Sequence, residues 1–101
     1  MRKTRNTADT RKIFERVIRQ GRPVTITYTR EDGSETVRTI EAYEIRETRA
    51  GNIIIKAMDR ETGQARSWRL DRIQSYTVHR SVFLVPRPVV NGTISRALVN
   101  A

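Results

Sequence analysis

Arginine recurs at every third position of Arg66-Ser67-Trp68-Arg69-Leu70-Asp71-Arg72-Ile73, interleaved with an aromatic, two aliphatics and one carboxylate. Three guanidinium groups this close repel one another unless an anion lies between them. Leu70 and Ile73 read as core positions, so the arginines ride on ordered backbone. Planar forks held beside an apolar core suit phosphates or carboxylates, which they grip bidentately. Strand alternation places Arg66 on the face of Trp68 and Leu70 and Arg69 on the other. One site for all three therefore requires a corner at residues 71–72 or strong barrel curvature. The plainer reading pairs them with Asp71, Glu41 or Glu44 in surface salt bridges worth little, with Arg72 tying Asp71 to a loop.

Four other groups are candidates. Arg38 stands on a segment whose apolar parity breaks, and a bulge there would re-aim it; a solvated strand arginine is the competing reading. Tyr28 ends an alternating run, with its ring in the core and its hydroxyl able to reach a site. Trp68 is a core residue or a stacking platform. Arg11, Lys12, Arg16 and Arg19 lie on one segment of helical period, either as contacts to a nucleic-acid backbone or as an ordinary solvated face.

The residues argue against enzyme chemistry. There is no cysteine, and His79 is the only histidine, so thiol catalysis is excluded and a metal site is not expected. No Ser-His-Asp grouping and no glycine-rich phosphate loop occurs. The carboxylates fall in turns and on alternating faces beside arginines, not in acid/base pairs. A non-enzymatic chain without cofactor is expected.

Net charge is +9 and the isoelectric point about 11.2. A chain so basic favours polyanions, nucleic acid before anionic membrane. Arginine outnumbers lysine 17 to 3. A GC-rich coding bias would explain that ratio but not the excess of base over acid. Residues 1–30 carry nine basic and two acidic groups, residues 31–64 five and eight, and residues 65–101 six and one. Any anion-binding face must therefore draw on the two ends. The basic start, Met1-Arg2-Lys3-Thr4-Arg5, leads into a polar stretch and does not read as a signal peptide, and no apolar run is long enough for a membrane span. The expected location is the cytoplasm, with no membrane partner.

One domain is expected at 101 residues. Residues 1–7 read as a flexible basic N-terminus. A helix is predicted over residues 8–20, capped by Thr7 or Asp9, with Ile13, Phe14, Val17 and Ile18 as its apolar stripe and Gly21-Arg22-Pro23 as its stop. Val24 to Thr29 alternates as a half-buried strand, and Asp32-Gly33 signals a hairpin. Residues 35–47 form a strand whose parity changes between Val37 and Ile40 and again before Tyr43, predicting a bulge or bend there. Further strands follow from Ile53 to Met58, over residues 65–70, and from Gln74 to His79, with turns at Ala50-Gly51-Asn52 and Asp59 to Gly63. Val82-Phe83-Leu84-Val85 is a last apolar run, and residues 86–101 form a tail that is docked, swapped or disordered. Short strands after one amphipathic helix predict a mainly β chain, a small five-stranded antiparallel barrel occupying residues 8–85.

From about Ile13 to Val78 this order of elements resembles the WYL domain, a bacterial module with an Sm-like β-barrel. Ile26-Thr27-Tyr28 matches the family's first strand. Arg38-Thr39-Ile40-Glu41-Ala42-Tyr43-Glu44-Ile45 matches its Arg-x-hydrophobic-Glu-Pro-x-x-Leu segment, with alanine in place of proline. Gly63-Gln64-Ala65-Arg66-Ser67-Trp68-Arg69-Leu70-Asp71-Arg72-Ile73 matches the final block, usually Gly-x-x-Arg-x-Phe-Arg-Leu-Asp-Arg-Ile. Ile53-Ile54-Ile55 stands where the family has Trp-Tyr-Leu, the mark of a divergent member. The resemblance implies ligand sensing or nucleic-acid binding. Such domains usually follow a winged helix-turn-helix in transcription regulators or accompany CRISPR and phage-defence systems. They are thought to bind single-stranded nucleic acid or nucleotide-like anions through basic residues of the barrel. It carries that role to Tyr28, Arg38, Arg66, Arg69 and Arg72, here in a chain expected to be a stand-alone module or a partner of another protein.

The reading that follows is a binding module for single-stranded DNA, RNA or a nucleotide-like anion, with a regulatory role. The alternative is a protein-interaction module, homodimeric or a regulatory subunit of a larger effector, for which the apolar run 82–85 and the tail would supply contacts.

Overall fold

The computed structural model describes residues 2–4, 6–81 and 83. Helix α1 spans Thr7–Gln20. Its cap is Asn6, not Thr7 or Asp9. The Asn6 Oδ1 accepts the Asp9 N–H at 2.9 Å, and Asn6 Nδ2 donates back to Asp9 Oδ2 at 3.1 Å. Asn6 stands three residues before that amide, where a short side chain reaches it, and the Asp9 carboxylate accepts from the cap's side-chain amide, not from its backbone N–H. At the other end Gly21 takes a left-handed φ of 64°. Its N–H bonds Ile18 O and the Arg22 N–H bonds Val17 O, so a Schellman turn ends the helix before buried Pro23. Phe14 and Val17 are buried and Ile13 and Ile18 pack partly against the same core, the stripe the sequence predicts.

The strands are β1 (Arg2–Lys3), β2 (Val24–Thr29), β3 (Glu35–Glu47), β4 (Ile53–Asp59), β5 (Ala65–Arg69) and β6 (Ile73–Val78). They form one antiparallel sheet in the order β1-β6-β2-β3-β4-β5. Helix α1 packs on β3 and on a short 3-10 turn, Leu70–Arg72, that links β5 to β6. The core joins Phe14 and Val17 to Val24, Ile26, Ile40, Ile55, Trp68 and Ile73.

Two expectations are corrected. The sheet has six strands, not five, and among the described residues its outer strands β1 and β5 do not pair, so it is not a closed barrel. The extra strand comes from the segment expected to be a flexible end. Arg2 and Lys3 pair with Tyr76 and Ser75, and the Thr4 hydroxyl bonds Ile73 O at 3.0 Å. A strand of two exposed cations has no apolar period by which to recognise it.

The bulge or bend expected in β3 is a bulge, at one of the two parity changes. Pairing with β4 slips between Ala42 and Glu44, so inward positions change from Ile40 and Ala42 to Ile45. Pairing with β2 runs without a slip from Glu35 to Ile40. Val37 breaks the apolar parity because it is an exposed residue on the outer face, 61% accessible. No helix among the described residues is long and apolar enough to cross a membrane. The tail 86–101, and all of the run 82–85 but Phe83, lie outside the described residues.

Candidate anion-binding cleft

Inward-facing positions of the sheet are apolar in the middle and polar at one end, and that end forms a cleft of about 510 Å³. The β2 parity of Ile26 and Tyr28 continues past the strand's end to Arg30. On β3, Arg38 and Thr36 precede Ile40 on the inner face; on β4, Asp59 follows Ile55 and Ala57; on β5, Arg66 shares its face with Trp68. Tyr28, Arg30, Thr36, Arg38, Asp59, Arg66 and Trp68 line this space together with Glu31 and Ser67.

The aromatic wall is rigid. The Tyr28 and Trp68 rings meet edge to face, with centroids 5.1 Å apart. The Tyr28 hydroxyl accepts the Arg69 backbone N–H at 3.0 Å, tying β2 to β5, which are not neighbours in the sheet. Its own proton stays available to an acceptor. Trp68 is buried, and its indole N–H has no hydrogen-bond partner among the described residues. Tyr28→Phe keeps the ring contact and leaves the Arg69 amide without its acceptor. It is expected to cost about 1–3 kcal/mol, read as a lower urea midpoint at unchanged slope.

Asp59 organises the cations. It is only 1% exposed, and its carboxylate faces Arg38 Nη1 at 3.4 Å and Arg66 Nε at 3.9 Å while accepting the Glu61 N–H at 2.9 Å. Arg38 also pairs with Glu61, and its Nε donates to Thr36 Oγ1 at 3.1 Å. Arg66 is half exposed. One buried carboxylate thus aims two guanidinium groups at the same space, leaving their remaining donors for a ligand. The cleft lining sets three cations, Arg30, Arg38 and Arg66, against the carboxylates of Glu31 and Asp59, and Glu61 adds a third carboxylate through its pair with Arg38. That balance suits an anion of low charge.

Arg69 and Arg72 do not line this cleft. Arg69 points away, as alternation requires, and grips Asp71 bidentately at 2.7 and 3.1 Å while bonding Asn52 Oδ1 at 3.1 Å. The Asp71 hydrogen bond holds its pKa above the ordinary arginine value. Arg72 sits half-buried in the 3-10 turn. On the helix, Arg11 pairs with Glu15 at 3.2 Å, and Arg19 lines a shallow groove with Glu15 and Glu44. Lys12 and Arg16 line a separate cleft. Arg30 and Asp59 were missed from sequence. Their only signal is parity: each continues an inward-facing series by one more step, beyond or at the end of its strand.

The WYL domain family model matches residues 10–78, from the first turns of α1 to the end of β6. The chain belongs to the WYL domain family. Among solved structures, this WYL domain is similar to proteasome accessory factor B/C (PafBC) of Arthrobacter aurescens, with a TM-score of 0.68 at 19% identity. The alignment covers 75% of this chain and 12% of that one, so the shared part is a fold within a much longer protein. No curated protein matches the sequence. Strand β1 lies outside the residues that the family model covers.

Proposed function

We propose that this WYL domain is a non-enzymatic regulatory module, acting in transcription or phage defence in the cytoplasm. It holds a nucleotide-like anion, free or at the end of a single-stranded nucleic acid, in the cleft between β2, β3 and β5. The observation that carries this reading is the meeting of Arg30, Arg38 and Arg66 with the Tyr28–Trp68 wall. Guanidinium groups bond phosphate oxygens in charge-assisted pairs, and the packed aromatic wall, whose residues are 9% and 6% exposed, bounds the site without offering an open stacking face.

Trp68 is the chain's sole tryptophan, so its fluorescence reports this cleft alone. Titration with nucleoside monophosphates and diphosphates and with dinucleotides at low salt is expected to change its emission saturably. Arg66→Ala should weaken the response at least about tenfold, the effect of losing one charged hydrogen bond. A flat titration with every one of these ligands overturns the reading.

A further inference from the structure

A second cleft, of about 640 Å³, opens between β1 and α1. Arg2 and Lys3 line it from the strand, and Lys12 and Arg16 from the helix, one turn apart on one face. Two segments of the chain thus bring four cations together. None of the ion pairs among the described residues involves any of the four. The one carboxylate in the lining is Asp9, which is hydrogen-bonded to the cap residue Asn6. Tyr76 and Ile13 add apolar surface.

The contrast with the first cleft is one of charge. There, buried Asp59 offsets the arginines. Here four cations face a single carboxylate that is already engaged at the helix cap. Such a site gains most from a ligand carrying several charges in a row, whose condensed counterions are released on binding. We propose that the β1–α1 cleft binds the phosphodiester backbone of single-stranded nucleic acid, with Arg2, Lys3, Lys12 and Arg16 on phosphates and Tyr76 beside a base. An anionic membrane fits less well. The cations line a concavity, and the apolar stripe that a surface helix would insert is spent on the core through Phe14 and Val17. The proposal does not depend on what the first cleft holds.

Fluorescence anisotropy of a labelled oligothymidylate of about 12 nucleotides, across a salt series with the full chain, is the test. The native chain is expected to bind at low salt. Neutralising all four residues in one variant (R2Q, K3Q, K12Q, R16Q) should lower affinity at least tenfold at low salt and flatten the slope of log affinity against log salt by about 2 to 3, near 0.7 per lost contact on a single strand. A second variant, K12Q with R16Q, leaves β1 untouched and should flatten it by about half as much. Arg49→Gln, at an exposed arginine that lines neither cleft, should leave the slope at its native value. The inference is overturned if both neutralised variants keep the native slope, if only Arg66→Ala abolishes binding, or if the chain binds phosphatidylserine-containing vesicles but not the oligonucleotide. Neutralised variants that lose the oligonucleotide yet keep the Trp68 response to mononucleotides support it. A silent Trp68 with the slope changes intact also supports it, while refuting the reading of the first cleft.

Discussion

Arg38→Ala is expected to lose both ligand affinity and stability, whereas Arg66→Ala loses mainly affinity. The two arginines face the same carboxylate from different environments. Arg38 is 21% exposed and approaches Asp59 Oδ2 to 3.4 Å; Arg66 is 52% exposed and stands off at 3.9 Å. Truncating Arg38 leaves a buried carboxylate with one distant guanidinium and the Glu61 N–H. Breaking a buried pair costs about 3–5 kcal/mol when nothing replaces the partner. The remaining contacts and the open cleft put the expected loss near the lower end, about 3 kcal/mol. Arg66 holds an outer, half-exposed position, so its removal should cost no more than about 1 kcal/mol. Each change removes a charged donor from the cleft, worth about 1.5–3 kcal/mol of binding. Chemical denaturation and Trp68 titration on the same two variants give the comparison. Equal stability losses would mean that Asp59 does not distinguish its partners. An undiminished affinity in both would mean that neither arginine touches the ligand.

Phe14→Ala is the substitution with the largest expected effect on folding, about 3–5 kcal/mol. Phe14 is fully buried at the centre of the contact between α1 and the sheet, among Val24, Ile26, Ile40 and Ile73. Truncation removes the ring's transfer energy and leaves a cavity that a sheet held by five ladders cannot close. In a domain of this size that is a large part of the total stability. Calorimetry should show melting lowered by about 15–25 °C if the domain unfolds in two states. Because α1 carries Lys12 and Arg16, partial unfolding of the helix should also weaken oligonucleotide binding, while Trp68 on β5 reports mononucleotides below the lowered transition. A shift of only a few degrees would show that the helix is not an integral part of the core.

Much of this fold was legible in the residues. The stripe from Ile13 to Ile18, the Gly21-Arg22-Pro23 stop, the Val24–Thr29 alternation and the slip before Tyr43 each appear where periodicity places them. These features follow from local rules, 3.6 residues per helical turn and two per strand repeat, and every such rule acts over a few neighbours. Parity also separated Arg66 from Arg69, so one site for the whole arginine triplet was already in question. The Arg66 to Ile73 block proved to serve three ends: Arg66 and Trp68 line a cleft, Arg69 and Asp71 grip each other, and Leu70 to Arg72 turn the chain.

What local rules could not reach was pairing between distant segments. A strand of two cations is recognisable only once Tyr76 and Ser75 are beside it. Whether a sheet closes depends on whether its first and last strands meet, and here β1 and β5 do not. Asp59 reads as a turn residue until folding brings it against Arg38, 21 positions earlier, and Arg66. The sequence by itself determined the helix and the five longer strands, the family and the basic character of the chain, because these depend on composition and on order along the chain. Only the tertiary structure decided how that charge is divided. A buried carboxylate offsets the arginines of one cleft and none offsets the four cations of the other, and Coulomb interactions depend on distance in space, not on spacing in sequence.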